Sequence, residues 1–388
     1  MDFRLTDEQR AMIDAVREVR EKEIAPRAVK WLNGDFPYES IAALAKIGVM
    51  GMAVPREYGG MDASVFDTVL VLEEISKACY NTAMAALGEV GVQTRIIATY
   101  APEPFKRKYL PKVADGSGIL AILLTEPDAG TDVPNYRTNC EIRGERAVLR
   151  GQKTLISRAD IADVLIVFTR VNGVPGAAGI GCALVEKGAR GLHAESKYHT
   201  MGGDYLCEVV FDDCEIPAEN VVLREHGMKK LLSAFNTQRC LNPSICLGLA
   251  EGALEESVRY LRDRSAFGHP IGDFQGLRWK AADMWIDIEA GRGLLYRAAL
   301  SGAPFPDPTL AAMAKIYVNE MSIRVTSQAV QFFGGYGYTD DFAVSRLFRG
   351  ARFGALGGGT TETLRNMVGR RLVEQMDLAT GMTGLNAL

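Results

Sequence analysis

The chain has 388 residues, of which 47% are hydrophobic and 24% are charged. This length predicts two or three domains, and the composition is that of an ordinary globular protein. The formal net charge is -4 without any block of basic residues, so we expect no nucleic-acid partner. No hydrophobic run reaches the ~18 residues of a membrane-spanning helix, so no membrane span is expected either.

The cysteines and histidines argue against a disulfide framework and against a metal site. The seven cysteines are scattered without C-x-x-C spacing, and the four histidines are equally dispersed. Unclustered cysteines are typical of reduced thiols in a cytosol. The acidic segment before the first predicted helix resembles neither a signal peptide nor a transit peptide. We therefore expect a cytoplasmic protein without a bound metal.

The first third of the chain has the hydrophobic pattern of helices. Thr6 and Gln9 have the spacing of a capping box, and hydrophobic residues then recur at helical spacing until Pro26. Further helical patterns lie at residues 41–47, 66–77, 83–100 and 104–114. These patterns predict an N-terminal helical domain over residues 1–118.

From about Gly116 the pattern changes to short β-branched or alternating runs. These runs lie at residues 144–151, 164–169, 181–186 and 207–211. Glycine, aspartate and asparagine turns separate them at the spacing of a small β-barrel or sandwich. We expect a central β domain over residues 119–229.

The last third returns to long amphipathic helices. Their patterns lie at residues 241–264, 274–301, 308–333 and 361–377. They predict a C-terminal four-helix bundle over residues 230–388, with a loose tail beyond Ala379. The predicted fold class is therefore α+β multidomain, with a helical N-terminal domain, a central β domain and a helical bundle.

The stretch from Leu124 to Asp132 predicts a strand end that runs into a tight turn. Ala129 and Gly130 allow a ligand to approach the backbone closely, and the hydroxyls of Thr125 and Thr131 can form hydrogen bonds with it. A turn of this kind is more often an ordinary loop than a cofactor site. It indicates a cofactor only in combination with other segments.

Five other segments accompany this turn: Gly48–Gly60, Gly151–Ser157, Phe211–Asn220, Arg264–Gln275 and Gln331–Gly337. Together and in this order, the six segments resemble those of the acyl-CoA dehydrogenase flavoprotein family. The resemblance extends from Leu5 to about Glu374. Each segment alone is weak support, but their joint occurrence in order is hard to attribute to chance.

The resemblance implies that the cofactor is FAD. Its isoalloxazine ring would be held by Leu124, Thr125, Gly130, Thr131, Ile156 and Ser157. A second group would reach the FAD of a neighbouring subunit, namely Arg264, Phe267, Gln275, Gln331, Phe332, Gly334 and Gly335. The cofactor site would also include Thr360 and Glu362. A homodimer or homotetramer is thereby implied, although these residues could instead be helix-face and core residues.

Substrate binding is implied for two residues of the first long C-terminal helix. Asn236 and Arg239 resemble family positions near the CoA chain, although Arg239 could instead only pack its helix. The substrate would be the thioester of an acyl group with CoA or with a carrier protein. The electron acceptor would be an electron-transfer flavoprotein or O2.

The segment that carries the family's usual base departs from the pattern. In the family, a glutamate directly before a Gly-Thr pair removes the α-proton of a CoA thioester while a hydride leaves the β-carbon for flavin N5. Here Gly358 stands at that position, before Gly359 and Thr360. Some members instead carry the base just before an arginine, where this chain has Gln238 before Arg239. Both base positions therefore lack a carboxylate.

Large side chains are also missing around the predicted flavin. The family's flavin-wall strand usually has an aromatic residue where this chain has Leu155, and Gly357 lies next to the empty base position. The sequence therefore suggests added room around the flavin. The alternative is a simple flexible loop.

Glu89 is the candidate replacement for the base. It lies in an otherwise hydrophobic run of a predicted helix that lines the acyl pocket in the family. A carboxylate on a hydrophobic face has a raised pKa and can act as a base. The alternative is a solvent-facing or salt-bridged glutamate.

Three functions remain open from the sequence. The first is an FAD-dependent dehydrogenase of an acyl-CoA, with a cyclic or otherwise bulky acyl group as one option and a base supplied by Glu89 or by the substrate itself. The second is an O2-dependent oxygenase of the same fold that oxygenates or cleaves a CoA thioester. The third is a non-catalytic flavoprotein, which the largely intact cofactor segments disfavour.

Overall fold

The structure, a computed structural model, describes residues 4–225 and 227–375. The predicted tail beyond Ala379 lies outside these residues. The chain forms two compact units. The sheet unit comprises residues 15–64 and 81–235, and the bundle unit comprises the described residues within 1–14, 65–80 and 236–388.

The N-terminal part is helical, as predicted. Its helices are α1 (Asp7–Val19), α2 (Tyr38–Lys46), α3 (Val65–Ser76), α4 (Tyr80–Val90), α5 (Val92–Tyr100) and α6 (Glu103–Ala114). The capping box before α1 is confirmed, because the Thr6 amide donates to Gln9 Oε1 at 3.0 Å and the Gln9 amide donates to Thr6 Oγ1 at 3.2 Å. The two residues therefore satisfy each other's exposed amides at the helix start.

The single helix predicted over residues 83–100 is wrong, because the chain breaks into α4 and α5 at Gly91. The backbone of Gly91 is extended there. The hydroxyl of Thr94 donates to the carbonyl of Glu89, which thereby gains a partner outside the helical ladder. A side-chain bond of this kind offers the backbone an alternative to the continuous helix.

The described residues form an eight-stranded sheet, which is the core of the sheet unit. Its strands are β1 (Leu120–Leu123), β2 (Asn139–Arg143), β3 (Arg146–Ser157), β4 (Val164–Val171), β5 (Ile180–Glu186), β6 (Leu192–His199), β7 (Tyr205–Pro217) and β8 (Val221–Leu223). The strand order is β6-β7-β3-β2-β4-β5-β8 with mostly antiparallel pairing, while β1 and β2 both pair in parallel with β4. This arrangement places the end of β1 near β3.

Three of these strands were not predicted from the sequence. Strand β6 is mostly exposed along its length, so its residues lack the alternation of buried and exposed side chains that identifies a strand. Strands β2 and β8 are only five and three residues long. Strands β3 and β7 are longer than predicted, and they form an extensive antiparallel ladder.

The bundle unit consists of helices and a short hairpin. Its helices, besides α3, are α7 (Gly227–Asp263), which begins in the sheet unit, α8 (Gln275–Ala299), α9 (Pro308–Phe333), α10 (Ala343–Gly354) and α11 (Thr361–Arg370). The hairpin consists of β9 (Ser265–Ala266) and β10 (His269–Pro270). Helix α9 has the predicted limits, because the Asp307 carboxylate caps its first turn at 2.9 Å from the amides of Thr309 and Leu310.

Helix α10 was not predicted, because glycines interrupt its hydrophobic pattern. Gly350 and Gly354 are both buried against neighbouring side chains. A Cβ on Gly350 would lie 2.7 Å from the Cβ of Tyr80, and a Cβ on Gly354 would overlap the Sγ of Cys246. Close packing therefore requires these glycines, although glycine is unfavourable inside a helix.

The predicted order of a helical part, a β part and a second helical part is confirmed. The domain limits at residues 118 and 229 stay predictions. No helix among the described residues combines the length and the hydrophobicity that crossing a membrane requires. Within the same residues, no cluster of three or more histidine, cysteine, aspartate or glutamate side chains has an arrangement that would hold a metal ion.

A buried network of charged residues links three helices of the bundle unit. The Arg292 guanidinium on α8 donates to the Glu73 carboxylate on α3 at 3.0 Å and to Glu251 on α7 at 2.8 Å. The hydroxyl of Tyr296 donates to the other Glu73 oxygen at 2.9 Å. Removal of one member of such a network leaves a buried charge without its partner.

We expect Arg292→Met to lower the free energy of unfolding by about 3–5 kcal/mol, because Glu73 and Glu251 lose their shared cation and a buried carboxylate then stays unpaired or has to take up a proton. Urea unfolding followed by circular dichroism measures this loss. The matched control is Arg324→Met, since Arg324 pairs with Asp287 at 2.9 Å in a half-exposed position. This control should cost about 1 kcal/mol or less. Equal losses in the two variants would contradict the prediction.

Candidate active site

The predicted tight turn follows directly after β1. The amide of Glu126 donates to the Ala129 carbonyl at 3.1 Å, and the amide of Ala129 donates back to the Glu126 carbonyl at 3.1 Å. This reciprocal pair closes the turn around Pro127 and Asp128. The predicted strand end and tight turn are therefore both present.

A buried ion pair holds this turn against β3. The Lys153 ammonium donates to Glu126 Oε1 at 2.8 Å and to the carbonyl of Leu124 at 2.7 Å. The Lys153 side chain is 0% exposed, and burial lowers its pKa to about 8 although Glu126 opposes the shift. The Glu126 carboxylate also accepts the amides of Arg137 and Thr138. Sequence reasoning missed both charged residues, although they lie inside two of the quoted segments.

The end of β3 is irregular where the flavin wall was predicted. The ladder between β3 and β7 shifts register between Lys153 and Ile156. Leu155 and Arg158 both have left-handed backbones, with φ of 58° and 54°. Leu155 is 51% exposed, whereas Ile156 is buried. Left-handed residues other than glycine are uncommon and concentrate at functional sites.

The structure brings together several of the residues predicted to hold the isoalloxazine ring. The Thr154 amide donates to the Thr125 carbonyl at 2.9 Å, which aligns the turn with the strand segment that ends in Ile156 and Ser157. Leu124 is held by Lys153 at the start of the turn. Gly130 and Thr131 are exposed on the far side of the turn.

The exposed side of this turn is open. A Cβ on Gly130 would meet no atom within 4 Å, so the backbone there is accessible. Thr125 and Ser157 are half-buried, with hydroxyls able to donate or accept hydrogen bonds. An open backbone with hydroxyls beside it fits a flat ring with a polar edge.

In the bundle unit, Phe267 lies in the turn of the hairpin β9–β10, and Arg264 directly precedes β9. Phe267 has φ of 54° and Gly268 has φ of 88°, so both turn residues are left-handed, as two-residue hairpin loops require. The Phe267 side chain is 92% exposed. Arg264 and Gln275, the first residue of α8, are exposed as well. These residues do not form part of the core of the unit.

The second predicted cofactor segment lies at the end of α9. Gln331, Gly334 and Gly335 are exposed, whereas Phe332 is only 7% exposed. Phe332 is therefore part of the core of the unit, which was the alternative to a cofactor contact in the sequence analysis. Thr360 and Glu362 were also predicted to belong to the cofactor site. Thr360 caps α11, because its hydroxyl accepts the Thr363 amide at 3.3 Å. Glu362 is exposed in the first turn of that helix.

The segment that contains Gly357, Gly358 and Gly359 is anchored by a buried lysine. The Lys315 ammonium donates to the carbonyls of Gly354 at 3.0 Å and Gly359 at 2.9 Å. Lys315 is 0% exposed, and burial lowers its pKa from 10.5 to about 8. Sequence reasoning missed this residue, although a lysine among the alanines of α9 is itself a signal. The anchored carbonyls argue against a simple flexible loop.

The two glycines differ in the space beside them. A Cβ on Gly357 would overlap the ring of Phe353, so that space is occupied and the interpretation is wrong there. A Cβ on Gly358 would lie 3.9 Å from Gln238 Cγ and 3.9 Å from Lys315 Cε, which is ordinary contact. Gly358 has φ of 69°, a left-handed backbone that favours glycine.

The helical segment that carries Gln238 has buried polar atoms without partners. Among the described residues, Thr237 Oγ1, Gln238 Oε1 and Arg239 Nε are buried without a hydrogen bond. Burial lowers the pKa of Arg239, and another of its nitrogens donates to Asn236 Oδ1 at 2.9 Å. Buried polar atoms without partners at three consecutive residues are consistent with a site in which a ligand supplies the missing hydrogen bonds.

Glu89 is buried in an ion pair. It is 1% exposed, Arg158 Nη1 donates to its two oxygens at 3.1 and 3.3 Å, and the Leu120 amide donates to Oε1 at 3.1 Å. Burial raises the pKa of Glu89, and the Arg158 charge opposes this shift. This environment matches the salt-bridged glutamate that was the alternative to a base in the sequence analysis. Arg158 itself was not identified from the sequence, although it directly follows the predicted flavin wall.

Comparison with known proteins identifies the family. Models of the N-terminal, middle and C-terminal domains of acyl-CoA dehydrogenase match residues 6–117, 121–214 and 225–373. The chain belongs to the acyl-CoA dehydrogenase family. It is accordingly an FAD-dependent oxidoreductase of acyl-CoA, and the open turn with its hydroxyls fits that cofactor.

Individual relatives match almost the whole chain. The 3-sulfinopropanoyl-CoA desulfinase of Paraburkholderia xenovorans is 36% identical over 96% of this chain and 98% of its own length. The cyclohex-1-ene-1-carbonyl-CoA dehydrogenase of Syntrophus aciditrophicus is 35% identical over 95% of this chain and 91% of its own length. The structure of butyryl-CoA dehydrogenase from Megasphaera elsdenii has a TM-score of 0.90 at 33% identity, covering 96% of this chain and 100% of that one.

We expect Lys315→Met to change how stability depends on pH. The folded chain releases the Lys315 proton near pH 8, whereas the unfolded chain keeps it to about pH 10.5. The unfolded state therefore binds more protons between these values, so this lysine makes the free energy of unfolding rise with pH. Urea unfolding from about pH 7 to about pH 10 should show a smaller rise in the variant.

The matched control for this experiment is Lys280→Met, because Lys280 is exposed on α8 of the same unit. Its curve should run parallel to that of the unsubstituted chain. A difference between the unsubstituted chain and Lys315→Met that stays constant over this pH range would contradict the lowered pKa.

Proposed function

We propose that this chain dehydrogenates an acyl-CoA at the α and β carbons without a carboxylate at either of the family's base positions. The observation that carries this proposal is the adjacency of Gly358 and Gln238. The family's two base positions, residues 358 and 238, lie next to each other, because a Cβ on Gly358 would lie 3.9 Å from Gln238 Cγ. The side chain at that place is an amide, which can donate a hydrogen bond but does not take up a proton at neutral pH.

The residues around the two base positions support binding rather than proton removal. The unpartnered Nε of Arg239 and Oε1 of Gln238 are available to polar groups of the thioester or of the CoA chain. FAD, when bound, accepts the hydride that leaves the substrate. Thr125, Ile156 and Ser157 orient the ring, and Lys153 holds their segments together.

The proton then has to be removed by a group other than residues 238 and 358. Glu89 is the weaker candidate, because its carboxylate is occupied by Arg158 and by the Leu120 amide. We therefore favour a base supplied by the substrate, which requires an acyl group with its own acidic or basic function. The desulfinase relative acts on such a group, since 3-sulfinopropanoyl-CoA carries a sulfinate.

A cyclic or otherwise bulky acyl group is the second option for the substrate. Leu155 and Gly358 replace larger family side chains, and Leu155 is half-exposed at the irregular end of β3. The relative from Syntrophus aciditrophicus acts on a cyclic acyl group, by its name. The carrier is CoA in these relatives, and a carrier protein is the alternative for this chain.

The competing proposal is an O2-dependent oxygenase of the same fold. It is compatible with the same missing carboxylate when a separate two-electron donor reduces the flavin, because the reduced flavin then reacts with O2 without removal of an α-proton. The electron acceptor separates the proposals. An electron-transfer flavoprotein serves a dehydrogenase, and O2 serves an oxygenase.

We also propose a homodimer or homotetramer in a reducing, cytoplasmic compartment. The hairpin places Phe267 and Arg264 in exposed positions, where a second copy of the chain would cover them. A large exposed aromatic side chain on a strained turn is more easily explained by such a contact than by solvent. All seven cysteines lie among the described residues, where they are buried and form no disulfide, which suits a reducing compartment.

The decisive experiment mixes the purified yellow protein with linear, aromatic, alicyclic and acid-bearing acyl-CoAs without oxygen and then admits air. We expect the visible flavin absorbance to bleach with the acid-bearing or alicyclic thioesters, with an enoyl-CoA as the product. Fast reoxidation with labelled oxygen in the product would instead establish the oxygenase. No bleaching with any thioester, together with no oxygenated product in air after the flavin has been reduced by dithionite, would contradict both.

A second experiment restores a carboxylate where the sequence has an amide. We expect Gln238→Glu to accelerate anaerobic flavin reduction by saturated linear acyl-CoAs by about 10²–10⁴-fold, because a positioned general base contributes that much. The substitution preserves size, so the fold should persist. The matched control is Gln328→Glu on α9, which should leave the rate unchanged. An unchanged rate in Gln238→Glu would mean that residue 238 is not at the base position.

A further inference from the structure

The surroundings of Arg158 are unusual for a surface arginine. Its side chain is 10% exposed, and its guanidinium donates to the carbonyls of Ala85 at 2.7 Å and Met84 at 3.0 Å as well as to Glu89. Both carbonyls belong to α4. One arginine from the end of the sheet's longest ladder therefore binds the main chain and a side chain of a helix.

Gly88 completes this arrangement. A Cβ on Gly88 would overlap the guanidinium of Arg158, so the arginine passes through the space that a side chain would fill. Glu89 also accepts the amide of Leu120, the first residue of β1. The three residues Gly88, Glu89 and Arg158, here termed the α4 anchor, thus join α4 to β1 and to the end of β3.

The α4 anchor acts on the segment predicted to face the flavin. Arg158 directly follows Ser157 and has a left-handed backbone, as does Leu155 three residues earlier. Ile156 and Ser157 therefore lie between two residues in strained conformations. Such conformations persist only where surrounding contacts enforce them. The four hydrogen bonds of the guanidinium are contacts of this kind.

Ser157 and Arg158 also line a cavity of about 380 Å³ in the sheet unit, beside Met84 and Ala85. The cavity leaves Ser157 without close packing on that side. The backbone next to Ser157 is held by Arg158, which the α4 anchor ties to α4.

We propose that Glu89 and Arg158 are positioning residues that hold Ile156 and Ser157 in the conformation that binds the isoalloxazine ring. This inference rests on the proposed function, because it takes Ile156 and Ser157 as flavin contacts. It gives Glu89 a role in flavin binding through Arg158, in place of proton removal. Gly88 contributes by leaving room for the guanidinium.

The test compares Gly88→Ala with Glu89→Gln in the full chain. Alanine at 88 displaces the guanidinium and leaves both charged groups present, whereas glutamine at 89 keeps the shape and removes the charge. We expect both variants to bind FAD about tenfold more weakly or worse, because the strained segment loses its support. Titration of the apoprotein with FAD measures the affinity, and the visible absorption spectrum reports the flavin surroundings.

The matched control is Glu141→Gln, which removes the carboxylate of an exposed ion pair with Arg143 in the same unit. It should bind FAD as the unsubstituted chain does. The double variant Glu89→Met with Arg158→Met addresses stability, because hydrophobic replacement of a buried ion pair is often tolerated. It should unfold at a similar urea concentration and still bind FAD weakly.

Three outcomes would overturn the inference. The first is FAD affinity and spectrum as in the unsubstituted chain for both single variants. The second is full affinity in the double variant. The third is a Glu89→Gln variant with normal FAD binding that no longer reduces its flavin with substrate, which would make Glu89 a base. An unsubstituted chain that binds no FAD would instead mean that the proposed function fails.

Discussion

The site in the sheet unit depends on the buried pair between Lys153 and Glu126. The pair is formed by a strand and a turn that are far apart in the sequence, and both side chains are almost fully inaccessible. A buried charge is tolerated only with a partner and further hydrogen bonds, which the Leu124 carbonyl and the Thr138 amide supply here. The cost of burying the two charges makes any other position of the turn unfavourable. The open edge of the turn is thereby fixed relative to β3.

Much of the fold was predictable because it repeats simple patterns. The limits of α9 followed from the amphipathic pattern of residues 308–333, and the capping box at Thr6 marked the start of α1. The missed elements lack such patterns. Helix α10 owes its position to the close packing of Gly350 and Gly354, and β6 pairs with β7 mainly through its backbone. Neither cause is visible in the order of hydrophobic residues.

The candidate site likewise contains segments that the sequence pointed to and residues that it did not. The turn at Glu126, the segment at Ile156 and the glycine at 358 were found because short motifs carry them. The charged residues that hold these motifs were not found. Lys153, Arg158 and Lys315 contact carbonyls and carboxylates from distant segments, and a single sequence does not state which segments meet. The role of Glu89 was open for the same reason, since burial in a hydrophobic helix is compatible with a base and with an ion pair.

The glycines of α10 have a consequence for transplanting activities between relatives. The segment that carries Gly358 begins where α10 ends, and the Gly354 carbonyl at this junction is bound by both Lys315 and Asn319. A preceding helix with side chains at positions 350 and 354 would not fit this chain. Those side chains would meet Tyr80 and Cys246. A graft that changes the residues around position 358 therefore has to keep Gly350 and Gly354 and replace only residues that follow α10.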